Sequence, residues 1–281
     1  MNSSPLVSVV IPSYNTKNHT RVAVESIMNQ SHKNWELHVC DDGSTDGSFE
    51  MLEDMAIRNP RVHIHNNETN LGNPQTRNKL FGLVSREATY IAILDSDDVA
   101  ETNRLEEQVA FLEKNNEIAL VGSAVSIIDE NGDPQGIRLY PESHEEIVKK
   151  IMVFDPFAQP AVMLRASALE SVGMYDEKLA RCQDYDLFTR FVKAGHKTAN
   201  LSEPLTKFRI HSNQGKYQNI GRAFKYSFIV RNRYLFSKEL FSFQGLVMWG
   251  VYLGGYLSSF ILPKKVYAYI FDTLFITKQN T

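Results

Sequence analysis

Tyr90-Ile91-Ala92-Ile93-Leu94-Asp95-Ser96-Asp97-Asp98, residues 90–98, is an apolar run that passes without a break into acids. A short apolar stretch of this kind reads as a buried strand, so the carboxylates arrive where the chain leaves the sheet. In an extended segment residues i and i+2 point to the same side, which lets Asp95 and Asp97 converge. Two carboxylates held together repel unless a cation sits between them. Hard oxygen ligands suit Mg2+ or Mn2+. The same residues also read as a solvated acidic turn before the following helix.

The segments on the N-terminal side repeat the design. Val7–Ile11 is a short β-branched run stopped by Pro12, and Trp35–Cys40 is a second strand that runs into Asp41-Asp42-Gly43. Residues 61–65 form a third short strand. Helical periodicity lies between them, over 21–29, 48–57 and 74–84, the last with Pro at its first turn. Strand and helix in alternation predict an open, mixed but mostly parallel α/β sheet flanked by helices. Ligands of such sheets bind outside the carboxyl ends of the strands, where these acids cluster. Further along, a helix is expected over 103–114, a strand region over 118–128, a turn at 131–134, and helices over 144–152 and 184–193. Residues 135–181 are less regular.

Composition narrows the function classes. The 281 residues are 43% hydrophobic and 22% charged, enough for a sizeable core. A net charge of −3 excludes a generally basic nucleic-acid binder. Cys40 and Cys182, the only cysteines, exclude a multi-bridge disulfide framework and a zinc site built on paired CxxC. The N-terminus lacks the basic start and long apolar region of a secretory signal, so a cytoplasmic chain is expected. The average charge hides an asymmetry. Residues 216–281 hold nine Lys or Arg against two acids, a net of +7, and the first 215 residues carry −10.

Four further constellations could carry chemistry. In Pro12-Ser13-Tyr14-Asn15, Tyr14 offers a flat face on which a base can stack, or is part of a surface turn. Asp42, in Asp41-Asp42-Gly43-Ser44, can accept from a ribose or base edge, or belong to a helix-capping loop. Asp184, in Gln183-Asp184-Tyr185-Asp186, reads as a helix cap or as a carboxylate base. Arg209 and His211, in Phe208-Arg209-Ile210-His211, can hold phosphate and ligate a metal, or serve structural ends.

Taken in order, VSVVIPSYN (7–15), QSHKNWELHVCDDGSTDGS (30–48), NLGNPQTRN (70–78), YIAILDSDD (90–98), VGMYDEKLARCQDYDLFTR (172–190) and FRIHSNQ (208–214) resemble the family-two inverting glycosyltransferases of bacterial surface-polysaccharide type. The resemblance implies a GT-A fold over residues 1–215, with a nucleotide-binding half (1–98) and an acceptor half (99–215). It implies that Pro12, Tyr14 and Asn15 line the base, that Asp42 hydrogen-bonds it, and that Arg77 lies near base and phosphates. Asp95 and Asp97 match the DxD motif, Asp95 towards ribose or metal and Asp97 as ligand of Mn2+ or Mg2+. Asp98 and Arg209 assist, His211 lies near the metal, and Asp184 matches the catalytic base. Gln183 stands where the family often has Glu, which removes a flanking acid. The implied reaction takes a sugar from a nucleotide-diphospho-sugar, by default a UDP-sugar, to a hydroxyl of a glycan or lipid-linked acceptor. Residues 154–160 are expected on the acceptor side. A sugar nucleotidyltransferase and a non-catalytic nucleotide-sugar binder are the competing readings. No Gly-rich phosphate loop follows the first strand, which argues against the former.

The basic, aromatic segment 216–281 lies outside the shared motifs and reads as a helical extension. Residues 246–262 form a run of 17 without a charge, and Gly250 and Gly254 have GxxxG spacing. Three readings stand: peripheral attachment to the inner face of the cell membrane, a helical cap or homo-oligomer contact, and a membrane span.

Overall fold

The computed structural model describes residues 4–210 and 220–260. The N-terminal half alternates as the periodicity predicts: β1 (Val7–Ser13), α1 (Lys17–Met28), β2 (Trp35–Asp41), α2 (Ser48–Arg58), β3 (Val62–Asn66), α3 (Asn73–Leu83) and β4 (Tyr90–Ile93). It continues with β5 (Val99–Ala100), α4 (Arg104–Lys114), β6 (Ile118–Ile128), β7 (Pro134–Arg138), α5 (His144–Lys150), a 3-10 turn (Gln159–Ala161), β8 (Met163–Arg165), α6 (Ala166–Val172), α7 (Gln183–Lys193) and β9 (Lys197–Arg209). Two C-terminal helices follow, α8 (Ile220–Tyr234) and α9 (Phe243–Ser258).

All nine described strands join one sheet in the order β3-β2-β1-β4-β8-β6-β9-β5, with β7 paired to β6. β1 pairs in parallel with β2 on one side and β4 on the other. The chain therefore winds outward through β2 and β3, then returns to the opposite flank of β1. That reversal opens a crevice at the carboxyl ends of β1 and β4. β8 joins β4 and β6 antiparallel, and β9 runs parallel to β6 along its length. The result is a mixed sheet with most of its pairing parallel.

Alternation along each strand explains the two cores. Val9, Ile11, Leu37, Val39, Ala92 and Leu94 point to one face, where Ala23, Ile27, Leu52, Leu105 and Leu112 of α1, α2 and α4 cover them. Val10, Cys40, Ile91 and Ile93 point to the other, against Leu80, Ile147, Leu169 and Phe188 of α3, α5, α6 and α7. Val230, Tyr234 and Leu235 belong to that second core, so α8 packs on the body. α9 packs in turn on α8. A side chain at Gly245 would meet Met152 Cβ at 2.7 Å, so only glycine allows this approach.

The supposedly irregular stretch 135–181 contains β7, α5, β8 and α6. α9 covers Phe243–Ser258, and no described helix is long and apolar enough to cross a membrane.

Candidate active site

The acids of the fold-deciding segment leave β4 at the crevice. Asp95, Asp97 and Asp98 bring carboxylate oxygens within 4.8 Å of one another. Asp98 is 1% exposed and accepts from the Arg209 backbone N–H at 2.7 Å. β5, directly after this turn, pairs with the end of β9 and brings Arg209 there. Arg209 donates from Nε to the Asp97 carbonyl and from Nη1 to the carbonyls of Asp129 and Glu130. This guanidinium clamps the backbone of the acidic turn. Burial, reinforced by the charges of Asp97 and Asp95, holds the Asp98 carboxyl well above the usual range. Burial also raises Asp95, with Asp97 and Asp184 adding to the effect and Arg77 opposing it. Below the turn, Arg104 donates to the carbonyls of Ile93 and Val162. Its burial pulls its pKa down to about 9 against the attraction of Asp98 and Asp95.

Arg77, on the buried face of α3, is 2% exposed and reaches Asp95 Oδ1 from Nη2 at 2.5 Å. Its Nε and Nη1 are buried without a hydrogen-bond partner. Burial works against its charge, but Asp95, with Tyr175 and Asp184, more than restores it. A buried cation with two unused N–H groups, beside acids that repel one another, is a half-finished electrostatic arrangement. It suits an anion and a cation bound together.

Asp42 follows β2 and is 4% exposed. Its Oδ1 accepts from Asn67 Nδ2 at 2.7 Å and Leu71 N at 2.9 Å, and its Oδ2 from Gly72 N at 2.9 Å. The carboxylate thus gathers the loop that leads into α3. Gly43, at φ 76°, lets this loop close in, since a Cβ there would lie 2.9 Å from the Thr69 carbonyl carbon. Asn67 also donates to Thr76 Oγ1 at 3.1 Å, beside Arg77. Asp42 and Asp95 are therefore linked through Asn67, Thr76 and Arg77. Asn67 and Thr76 went unremarked in the sequence, where nothing distinguishes them from loop and helix polar residues.

Pro12 is buried within β1 and Tyr14 is 47% exposed beyond it. Asn15, at φ 51°, donates its N–H to Ser44 Oγ and accepts from Thr45 N, each at 2.9 Å. This joins the loops after β1 and β2, and Thr16 Oγ1 meets Ser96 Oγ at 3.0 Å to join the loop after β4.

Asp184 lies in the first turn of α7, but Cys182, at φ 58°, is the N-cap and no side chain caps the helix. Asp184 is therefore not the cap. Its charge acts on Arg77, Asp95, Tyr175 and Asp155. Burial, then the charge of Asp184, holds the Asp155 carboxyl well above its usual range. Arg231 of α8 fixes this side by donating to the carbonyls of Met152 and Val153 at 3.0 and 2.8 Å. His211 lies outside the described residues.

Comparison with known proteins follows this geometry. The profile described as "Glycosyl transferase family 2" matches residues 8–172. The putative glycosyltransferase EpsE of Bacillus subtilis is 36% identical over 81% of this chain and 80% of its own length. The putative teichuronic acid biosynthesis glycosyltransferase TuaG of the same organism is 29% identical over 75% of this chain and 82% of its own. The crystal structure of S. aureus TarS 1-349 in complex with UDP superposes with a TM-score of 0.68 at 17% identity, covering 92% of this chain and 76% of that one. The chain covers 44% of the longer TarS structure. The Pyrobaculum calidifontis mannosyltransferase PcManGT, in complex with GDP-Man and Mn2+, gives 0.66 at 13% identity over 99% and 82% of the two chains. The fold is thus that of the GT-A transferases. By sequence, the chain belongs to glycosyl transferase family 2.

Proposed function

We propose that this enzyme transfers a sugar, with inversion, from a nucleotide-diphospho-sugar to an acceptor hydroxyl on a growing surface glycan or lipid-linked glycan. The observation that carries the reading is Arg77, a buried guanidinium with two unused N–H groups beside three converging carboxylates. Diphosphate and divalent cation are the ligand pair that completes both halves. The carboxylate oxygens of Asp97 and Asp95 fit Mn2+ or Mg2+, and His211, expected as a further ligand, lies outside the described residues. Such an ion, when bound, neutralises charge on the departing diphosphate.

The chain's own groups do the rest. Tyr14 and the Pro12–Asn15 segment receive the base, and Asp42 holds the loop that walls it. Arg77 binds and orients the phosphates. Asp98 and Arg209 keep the acidic turn in shape. Asp184, in the first turn of α7, takes the proton from the acceptor hydroxyl as it attacks the anomeric carbon. A single displacement inverts that carbon. UDP is the favoured nucleotide, supported by the likeness to UDP-bound TarS; the GDP-Man likeness keeps a second base in the test. The relation to TuaG supports a polymer acceptor. α9 exposes Phe243, Val247, Val251 and Leu257, a charge-free face that supports peripheral attachment at a membrane carrying the acceptor.

The test is thermal stabilisation by a panel of nucleotide sugars with and without Mn2+. UDP-sugars are expected to raise the melting temperature only with the ion. Equal stabilisation without it, or none by any nucleotide sugar, refutes the reading.

A further inference from the structure

A second cluster of ligating side chains lies near the other end of the sheet. Glu36 and His38 share one face of β2, and His63 is paired to His38 across β3, the edge strand of this flank. Their potential ligand atoms lie within 4.8 Å of one another. Glu36 is second in its strand, and the run to Asp42 spans about 20 Å at the usual rise of a strand. The cluster is thus separate from the acids at the carboxyl ends.

His38 supplies the observation that points to a ligand. It is 6% exposed. Its Nδ1 meets His65 Nε2 at 3.2 Å, and its Nε2 lies 3.2 Å from Glu36 Oε1. When His65 accepts from Nδ1–H, Nε2 presents a lone pair to the Glu36 carboxylate, and when His65 donates, Nε2–H faces it. In the first of these states a cation between the two acceptors takes the place that the proton holds in the second. The spacing itself fits one: bonds of 2.0–2.1 Å to a tetrahedral zinc put neighbouring ligand atoms roughly 3.3 Å apart. Glu36 is held from behind. Ser85 N donates to its Oε1 at 2.8 Å, and Ser8 Oγ donates to the same oxygen. No described residue donates to Oε2. His63 stacks on His38 with ring centroids 4.8 Å apart and is exposed, so its ring can turn to close the set.

We infer that Glu36, His38 and His63 form a site for a zinc-class transition metal, with His65 orienting His38 and water completing the coordination. Two imidazoles and one carboxylate favour Zn2+, Co2+ or Ni2+ over the hard cations suited to the acidic turn. The ion would staple the edge strand β3 to β2.

The test uses tag-free, full-length protein stripped with chelator and titrated with Co2+ alone, reading the visible ligand-field band of a tetrahedral site. One equivalent is expected to bind, to be displaced by Zn2+, and to persist in Asp97→Ala. His63→Ala, an exposed change that leaves the fold intact, and Glu36→Gln are expected to abolish the band. His65→Ala is expected to weaken binding about 10–100-fold. Melting of the metal-free His63→Ala protein alongside metal-free wild type confirms its fold. Absence of binding in the wild type, or binding that survives His63→Ala and disappears in Asp97→Ala, overturns the inference.

Discussion

Asp184→Asn keeps the size and first-turn position of the side chain and removes only its basicity. Turnover is expected to fall about 10²–10⁴-fold, while nucleotide affinity, measured by calorimetry, stays unchanged. Wild-type turnover would remove Asp184 from the role of base. Arg77→Lys keeps a charge against Asp95 but loses the planar fork. Nucleotide affinity is expected to drop about 10–100-fold, the worth of one charged hydrogen bond; an unchanged affinity would show that its unused N–H groups serve no ligand. Cys40 provides a control at the same scale. Burial pushes its thiol up to about 11, over the attraction of Lys79, so thiol reagents are expected to leave it unmodified at neutral pH. At this scale the sequence was most informative where the residue type is itself the chemistry. Asp95, Asp97 and Asp184 were legible as carboxylates. The carbonyl contacts of Arg209 were not legible, because a guanidinium that binds carbonyls has the same letter as one that binds phosphate.

Elements decide how those residues meet. The loop before α3 hangs on Asp42, so Asp42→Ala leaves the backbone N–H groups of Leu71 and Gly72 without their acceptor. A loss of about 1–3 kcal/mol is expected by chemical denaturation; no loss would mean that the loop does not depend on this carboxylate. α8 is tied to the body in a way that pH can probe. Asp176 accepts from Lys178 N at 2.9 Å and from Arg233 Nη1 at 2.8 Å. Slight burial opposes its charge, but these donors outweigh it and hold the carboxyl below its ordinary range. A depressed carboxylate contributes stability above its ordinary pKa and loses it as pH falls through the folded value. In an NMR titration, Arg233→Ala is expected to move Asp176 upward, and an unmoved midpoint would mean that this tether is absent in solution. β9 was not anticipated because Pro204 and register shifts against Ser123–Val125 interrupt its alternation. β8 has three residues, too few for any period.

The whole molecule was readable in its N-terminal half, where each strand is a continuous apolar run and each turn is marked by Gly, Pro or Asp. The acceptor half was harder because its strands take their order from distant partners. We propose residues 1–215 as the catalytic unit and 216–281 as an extension, whose described helix α8 shares a core with the body and ties to it through Arg231. Flotation with vesicles rich in anionic lipid tests the role of the extension. Binding that weakens when Val247 and Val251 become Asp is expected, whereas a salt-independent dimer with no flotation would assign the exposed stripe to self-association. The central claim is that acids far apart in the chain surround one nucleotide-sugar site. Its most direct test is an anomalous difference map from crystals grown with UDP and Mn2+. A single manganese peak beside Asp97, with the diphosphate on Arg77 and Asp184 facing the open side, is expected. Nucleotide bound elsewhere, or Asp184 turned away from it, would contradict the account.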